Sequence, residues 1–402
     1  MNMKPILFAF ILFTFTAMSH AQTDKFAEFR EMFRKELAAA DVAGGSFVFI
    51  RDGKVLVDEH YGLANIEKQQ RIDAHTIYHW ASNTKPFTGI AIMQLRDRGL
   101  LKLDDPVTKY LPELRRIHNP FGSMDTITIR HLLTHSGGFR NGTWPWRNNK
   151  PWEPFEPTEW SQLVAMFPFT EVLFEPGSKF SYSNPGIVYL GRIIEEVSGE
   201  SYEAYIDKNI LRPLGMTRSY FDTTPPHLLK DRSHSYYVRD GKRTEGRFDA
   251  NTGITVSNSG LNSSILDMVK YVTFLTGISE PPVSAGGRSG GIETMDRTDY
   301  NTVLKRSTLE EMWQPQLPAA TDANGNPGFT TDIGFVFFID ASDSRKLVGH
   351  GGDQNGFLSY IDIEPATRTA SVIVLNTNVV DRSALGGQDV VSRLRRSIRM
   401  LY

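Results

Sequence analysis

Strand-like segments lie at both ends of this chain, and helix-like segments occupy the long stretch between them. Near the start, two runs rich in apolar residues, Ser46–Ile50 and Lys54–Tyr61, flank Asp52-Gly53, a pair typical of tight hairpin turns. The last third contains four similar short runs: Phe335–Ile339, Lys346–Val348, Phe357–Ile363 and Ser371–Leu375. The simplest assembly that buries all of these runs is one antiparallel sheet built from both termini.

Helical periodicity marks the two ends of the chain and its middle. Apolar residues recur at helical spacing in Asp24–Ala40 and again from Val390 to Leu401, so terminal helices should cover the sheet. The predicted helices of the middle are Lys85–Arg98, Ile129–Leu133, Pro185–Val197, Tyr202–Ile210 and Ser264–Leu275. We therefore predict an α+β fold, an antiparallel sheet flanked by terminal helices and carrying a large, mainly helical insertion. Within one unit spanning 22–402, the sheet subdomain would comprise 22–81 and 325–402, and the helical subdomain 82–324.

The segment 1–21 has the pattern of a secretory signal peptide. Lys4 gives a short positive start, an apolar stretch runs from Pro5 to Met18, and Ser19-His20-Ala21 offers small residues where a signal peptidase reads. The apolar stretch is shorter than the ~20 residues that a membrane-spanning helix needs, although an uncleaved anchor is the alternative. We expect an exported protein with no stable membrane insertion after cleavage.

Composition excludes several classes of partner and site. Hydrophobic residues make up 40 % of the chain, which is enough for a sizeable core. The formal net charge of -2 gives no electrostatic footprint for nucleic acid or an anionic membrane. The chain has no cysteine, which excludes disulfides, thiol nucleophiles and cysteine-based metal sites.

The segment Ser82-Asn83-Thr84-Lys85 opens a predicted helix that is almost wholly apolar. Serine is a favoured N-cap, and residues three apart share one helical face, so Ser82 and Lys85 can point into one cleft. A serine hydroxyl becomes a nucleophile when a base takes its proton, and a lysine can be that base if burial lowers its pKa. The alternative is a capped helix with a solvated lysine. A lysine in the first turn of a buried helix favours the nucleophile interpretation.

Two further motifs follow along the chain. Tyr182-Ser183-Asn184 lies in a polar loop before a helix, where a tyrosine near a lysine ammonium can hold a lowered pKa and relay a proton, and Asn184 could bind a substrate amide. His350-Gly351-Gly352 follows a predicted strand, and its glycines would let a substrate backbone approach closely. Each motif could instead be an ordinary turn. His135-Ser136-Gly137 ends a helical segment, and we interpret it as structural.

In this order, the three motifs resemble those of the penicillin-recognising serine hydrolases, the family of class C β-lactamases, D-alanyl-D-alanine carboxypeptidases and related esterases. The resemblance runs from about Phe47 to Thr377. Further segments agree with it: Leu103-Asp104-Asp105-Pro106-Val107, Tyr110-Leu111-Pro112, Leu132-Leu133-Thr134-His135, Phe174-Glu175-Pro176-Gly177 and Pro213-Leu214-Gly215-Met216. It implies a bacterial protein of the periplasm or exterior.

The resemblance also implies roles for these residues. Ser82 would be acylated, Lys85 and Tyr182 would be the general-base pair, and Asn184 would hold the substrate amide. The backbone N–H groups of Ser82 and Asp353 would form the oxyanion hole beside Gly351 and Gly352.

One position departs from the family pattern. Class C β-lactamases carry Lys-Thr-Gly where this chain has His350-Gly351-Gly352. A permanent cation is thus replaced by a group that is mostly neutral at pH 7. The resemblance then favours an ester or a D-amino-acid-containing peptide or amide as substrate, with weak β-lactamase activity at most. A non-catalytic penicillin- or cell-wall-peptide-binding protein of the same fold is the alternative.

Other readings of the sequence have less support. Gly287-Arg288-Ser289-Gly290-Gly291 matches a nucleophile elbow, but no strand pattern precedes it. His131 and His135 are four apart, as are His75 and His79, without the glutamate that a zinc-protease motif requires. We expect neither a metal nor a cofactor.

The tryptophans of the loop Arg140–Glu159 are a hypothesis about specificity. Trp144 and Trp146 lie between the first two motifs and could line the acyl side of the pocket, or could simply pin a surface loop. The sequence leaves the oligomeric state open.

Overall fold

The fold is described from a computed structural model of the 402-residue chain. It describes residues 25–139, 158–246, 248, 251–277, 283–284, 300–319, 330–380 and 389–402. The predicted signal segment 1–21, Trp144, Trp146 and the motif Gly287–Gly291 lie outside the described residues.

The strands come from both ends of the chain and from short segments between them. Within the described ranges they are β1 (Gly44–Arg51), β2 (Lys54–Asn65), β3 (Gln70–Arg71), β4 (Ile77–His79), β5 (Ser219–Phe221), β6 (Tyr236–Arg239), β7 (Lys242–Glu245), β8 (Leu261–Ser264), β9 (Val283–Ser284), β10 (Leu317–Pro318), β11 (Asp332–Ile333), β12 (Phe338–Asp340), β13 (Leu347–Gln354), β14 (Phe357–Glu364), β15 (Thr369–Leu375) and β16 (Thr377–Val379).

The main sheet joins the two ends of the chain. Its strand order is β10-β11-β12-β13-β14-β15-β1-β2-β3, and each of these neighbouring pairs is antiparallel. The central pair is β1 with β15, in the register Phe47↔Ile373, so the first and last long segments are hydrogen-bonded directly. This confirms the predicted sheet built from both termini. Two small sheets, β16-β6-β7 and β4-β8-β5, lie beside it.

The helices lie on both faces of the main sheet. They are α1 (25–39), α2 (Lys85–Asp97), α3 (Ile129–Leu133), α4 (Trp160–Met166), α5 (Asn184–Ser198), α6 (Tyr202–Ile206), α7 (Val256–Ser259), α8 (Ile265–Thr276), α9 (Arg306–Met312) and α10 (Val390–Arg399). The terminal helices α1 and α10 share one apolar cluster with β1, in which the Phe29 and Phe47 rings are 4.5 Å apart. The other helices share the larger core, whose central element is the buried helix α2. The predicted α+β architecture is confirmed.

Three local expectations are wrong. The strand expected to end at Val348 continues through the glycines to Gln354, because the pairing with β14 holds them extended despite the weak strand preference of glycine. The helix expected over Tyr202–Ile210 changes at Asp207 into a π-helical turn that ends at Leu211. Val283–Ser284 forms a two-residue strand parallel to β2, so the segment before Gly287 is not free of strand structure.

Among the described residues, no helix combines the length and the apolar character needed to cross a bilayer.

Candidate active site

Ser82 lies in a one-turn 3-10 helix, Ala81–Thr84, that leads directly into α2. The sequence predicts Ser82 as the N-cap of α2, and this is wrong: the helix begins at Lys85, and its N-cap residue is Thr84. The chain enters the turn through Ala81, whose φ of 49° is in the left-handed region that residues with a side chain seldom adopt. A strained residue directly before a partly exposed serine is typical of a functional turn.

The turn that carries Ser82 is held by neighbouring strands. The Trp80 indole N–H donates to the Ser263 carbonyl at 2.9 Å, which fixes the residue before the turn to β8. Asn83 donates from Nδ2 to the Ser359 hydroxyl of β14 at 2.8 Å. Thr84 donates from Oγ1 to the Ala81 carbonyl at 2.7 Å and closes the turn on itself. These bonds fix the backbone around Ser82 without any bound substrate.

Lys85 lies beneath Ser82 in the first turn of α2, and its side chain is fully buried. Its Nζ is 2.8 Å from Ser82 Oγ and donates to the Asn258 carbonyl at 3.0 Å. Burial holds the pKa of Lys85 well below its ordinary value, because an ammonium loses its hydration there. Burial therefore favours the neutral amine, the form that is able to accept the proton of Ser82.

Tyr182 completes the group around the nucleophile. Its phenol is hydrogen-bonded to the Ser82 side chain, and Lys85 Nζ lies 4.9 Å from the centre of its ring. The expected lowered pKa is wrong: burial raises the pKa of Tyr182 above its ordinary value. That expectation required a lysine ammonium, whereas burial favours the neutral amine. Tyr182 is thus a protonated phenol that can donate a proton, and Lys85 is the group of the two that is better suited to accept one.

His350, Gly351 and Gly352 lie within β13, opposite β14. The pairing of β12 with β13 covers Leu347–Gly349 and ends there, so in the described part of the chain the strand from His350 onward is paired only with β14. At Gly352 an added Cβ would lie 2.2 Å from the Trp80 carbonyl oxygen, so glycine is required for this close approach. Strand β13, the strand expected to bind substrate, therefore packs directly on the turn that carries Ser82.

The imidazole of His350 is 3 % exposed and neutral. Burial is the main cause that lowers the pKa of His350 to about 3, and Lys85 adds to this effect in its protonated form. Nδ1 lies 2.6 Å from the Gly351 carbonyl, which as an acceptor requires the proton to be on Nδ1. Nε2 is therefore an acceptor, and it has no hydrogen-bond partner among the described residues. Where class C β-lactamases have a cation, this chain has a neutral imidazole whose acceptor nitrogen is buried.

A cleft of about 440 Å³ unites most of the predicted site. The lining residues are Ser82, Tyr182, Asn184, Phe338, His350, Gly351, Gly352, Asp353, Leu358, Ser359, Tyr360, Asp389, Val391 and Ser392. Lys85 lies behind Ser82, and Asn184 begins α5 with its buried Oδ1 unpaired within the described residues. Thus the structure brings all the predicted site residues together except Trp144 and Trp146, which it does not describe. The oxyanion role of the Ser82 and Asp353 N–H groups stays a prediction.

Sequence reasoning missed three contributors to the site. The Asn258 carbonyl accepts from Lys85, and a backbone acceptor leaves no sequence signal. Asp389 brings the carboxylate at the start of α10 into the cleft, a placement that only the tertiary fold creates. His135 packs on Tyr182 with ring centres 4.7 Å apart, and its place in the Leu132–His135 motif was the signal available.

The histidine pairs have roles other than metal binding. His131 accepts from the Thr128 backbone N–H at 3.3 Å in the cap of α3. His79 is hydrogen-bonded to Asn262 at 3.1 Å and to Gln354 at 2.9 Å. In the part of the chain that the structure describes, no three His, Asp or Glu side chains are grouped so that they could hold a metal ion.

Comparison with known proteins agrees with this geometry. Residues 29–391 match the model of the Beta-lactamase family. Protein flp of Staphylococcus aureus (strain N315) is 29% identical over 360 residues, which cover 90% of this chain and 64% of that protein. The chain thus spans less than two thirds of the length of that relative.

Two solved structures share the fold. The octameric penicillin-binding protein homologue from Pyrococcus abyssi superposes with a TM-score of 0.73 at 28% identity, covering 93% of this chain and 77% of that one. A β-lactamase/D-alanine carboxypeptidase from Yersinia pestis, complexed with citrate, gives a TM-score of 0.70 over 94% of this chain and 98% of that one. Its 19% identity makes it evidence for the fold alone. The family match over most of the chain, with the geometry of Ser82 and Lys85, shows that this chain belongs to the Beta-lactamase family, within the superfamily of serine penicillin-recognising hydrolases.

Proposed function

We propose that this chain is a serine hydrolase that forms an acyl-enzyme on Ser82, with Lys85 as general base and Tyr182 as proton relay. The observation that carries the proposal is the 2.8 Å contact between Ser82 Oγ and the Nζ of a fully buried lysine. A buried, neutral amine at hydrogen-bond distance from a partly exposed hydroxyl is the arrangement that nucleophilic catalysis by serine requires. A helix-capping serine with a solvated lysine would show neither the burial nor the contact.

The acylation step follows from these positions. Ser82 Oγ forms a bond to the substrate carbonyl carbon while its proton passes to Lys85 Nζ, which becomes an ammonium. The carbonyl oxygen takes the negative charge, and the N–H groups of Ser82 and Asp353 would stabilise it. When the carbon–oxygen or carbon–nitrogen bond to the leaving group breaks, the proton returns through Tyr182 to the departing alcohol or amine. Water then attacks the carbonyl carbon of the acyl-enzyme while its proton passes to Lys85. The bond from that carbon to Ser82 Oγ breaks, Ser82 regains a proton from Lys85, and the acid is released.

The substrate class we propose is an ester, or a peptide or amide that contains a D-amino acid. A β-lactam or a C-terminal peptide carries a carboxylate that favours a cation, but His350 is neutral and supplies no positive charge. Among the described residues that line the cleft there is no lysine or arginine, whereas Asp353 and Asp389 bring carboxylates. β-Lactamase activity should therefore be weak. The acyl donor is the only partner we propose, in the periplasm or exterior of a bacterial cell.

Intact-protein mass spectrometry tests the proposal. The protein is incubated separately with a short-chain nitrophenyl ester, a D-Ala-D-Ala peptide and a fluorescent penicillin, and the acyl mass is mapped by proteolysis. We expect acylation of Ser82 by the ester, and its loss in Ser82→Ala. Ser178→Ala is the matched control, because Ser178 is exposed and bonds only the Glu175 carbonyl among the contacts described for it.

The non-catalytic alternative gives a different result. If none of the three probes acylates the wild type, and Ser82→Ala binds penicillin or peptide as the wild type does, the chain is a binding protein of this fold. Acyl mass on any residue other than Ser82 would contradict the assignment of the nucleophile.

A further inference from the structure

His135 contacts three consecutive residues of the loop that carries Tyr182. Its carbonyl accepts from the Ser181 backbone N–H at 2.8 Å, and its ring Nδ1 accepts from the Ser183 backbone N–H at 3.2 Å. Between these two bonds its imidazole packs on the Tyr182 ring at 4.7 Å between centres, with 31° between the planes. The imidazole thus holds the tyrosine and the residue after it, and the backbone carbonyl of His135 holds the residue before it.

The position of His135 is itself fixed. The residue is 1 % exposed, and its ring packs edge-to-face with the Phe180 ring, with the ring centres 6.0 Å apart and an interplanar angle of 87°. Its φ of 53° places the backbone in the left-handed region, which turns the chain sharply at the end of α3. Such a conformation persists where the surrounding structure over-determines it, and it is frequent near functional sites.

The protonation of His135 suits this contact. Because Nδ1 accepts from Ser183, the proton of the neutral ring is on Nε2. Burial keeps the pKa of His135 well below its ordinary value, and Lys85 and His350 add to this effect in their protonated forms. The ring therefore stays an acceptor for Ser183 and adds no positive charge beside Tyr182 and Lys85.

We infer that His135 is a positioning residue for Tyr182, holding the phenol at hydrogen-bond distance from Ser82 by ring packing and by two bonds to the flanking backbone. The inference rests on the proposed function, since it assigns a kinetic consequence to that placement. Ser183 also caps α5 by accepting from the Gly186 N–H at 3.1 Å. The bond to Ser183 therefore also steadies the helix that begins with Asn184.

Two substitutions separate the two kinds of contact. His135→Asn keeps a side-chain acceptor and tolerates a positive φ, but removes the ring. His135→Phe keeps the ring and removes the acceptor. The matched control is His131→Phe, which removes the cap acceptor of α3 four residues before His135.

Single-turnover acylation by a nitrophenyl ester is the assay, with the concentration of folded sites set by the burst amplitude. We expect the acylation rate constant to fall by about 10²-fold in His135→Asn, as for a catalytic group displaced by about 1 Å, and by about 10-fold in His135→Phe. The apparent ester dissociation constant should change less than about threefold, because His135 does not line the cleft. His131→Phe should lower stability and leave the rate constant per site unchanged.

The outcomes are distinguishable. Rate constants per site within threefold of wild type in both His135 variants would overturn the inference while leaving the proposed function intact. Absence of acylation in the wild type would refute the proposed function instead. The position of Tyr182 is then tested by its rate of nitration with tetranitromethane. Faster nitration of Tyr182 in His135→Asn than in the wild type and in His131→Phe supports the positioning role. Equal nitration rates in the three proteins overturn it.

Discussion

Gly352→Ala tests whether the close approach of β13 to the Ser82 turn is what makes the site active. A Cβ on Gly352 would lie 2.2 Å from the Trp80 carbonyl oxygen and 2.7 Å from Ser359 Oγ. Real Cβ atoms essentially never come closer than 3.0 Å, so strand and turn must separate by about 0.8 Å or more. The Trp80 carbonyl oxygen belongs to the backbone that leads into the Ser82 turn, so it cannot move aside as a flexible side chain could.

The expected effect on rate exceeds the expected effect on stability. A displacement of about 1 Å between catalytic groups reduces the rate by about 10²-fold, because the nucleophile and the oxyanion-binding N–H groups no longer meet one carbonyl. Overpacking of this kind lowers the free energy of unfolding by about 1–3 kcal/mol, so the variant should still fold.

Gly351→Ala is the matched control on the next residue. Its Cβ would lie 2.8 Å from two ring carbons of Tyr360, a side chain that can tilt by a few tenths of an ångström. We therefore expect a loss of acylation rate below about 10-fold, since no backbone beside Ser82 has to move. Both variants are compared by burst acylation with a nitrophenyl ester and by urea unfolding. If Gly352→Ala acylates within threefold of Gly351→Ala while both are folded, the reasoning about this approach is refuted.

Three further predictions concern charge. Lys85→Met should reduce acylation by about 10²–10⁴-fold, the contribution of a general base. Lys85→Met should also raise the free energy of unfolding at pH 7, because the unfolded lysine binds a proton that the buried lysine does not. This gain in stability should shrink as the pH rises toward 10.5. Equal gains at pH 7 and pH 10, measured by urea unfolding, would contradict the prediction. In the wild type, kcat/KM for a neutral ester should fall with decreasing pH through the depressed pKa of Lys85. A pH profile with its midpoint near 10.5 would contradict the depressed pKa. Asp389→Asn keeps a side-chain oxygen that accepts from the Ser392 N–H at the start of α10. This variant should raise the ratio of kcat/KM for a succinyl ester to kcat/KM for an acetyl ester by about two- to fivefold at low salt. An unchanged ratio would show that the Asp389 carboxylate does not act on the substrate.

The fold was predictable to a large extent because its elements carry strong local patterns. Short stretches of sequence predict three of these elements: the hairpin around Asp52-Gly53, the buried helix that begins at Lys85 and the amphipathic helix that begins at Val390. The boundary of β13 was not predictable, because a His-Gly-Gly segment has no intrinsic preference for a strand. It is extended only because β14 supplies its hydrogen bonds.

The candidate site divides in the same way. Residue types and order indicated Ser82, Lys85, Tyr182 and the segment that begins with His350, and the structure brings them together in one cleft. Their protonation states were not all predictable. The lowered pKa expected for Tyr182 is wrong, since burial acts on the phenol while the neighbouring lysine is itself neutral.

The sequence by itself determined which chemistry the chain can carry, since it supplies a serine three residues before a lysine and no cysteine. It also predicted that the strands at the two ends would share one sheet, since this is the simplest assembly that buries their apolar residues. Tertiary structure alone decided the electrostatics, because pKa values depend on burial and on neighbours brought from distant parts of the chain. The Asn258 carbonyl on Lys85, His135 against Tyr182, and the acceptor face of His350 exist only in the folded protein.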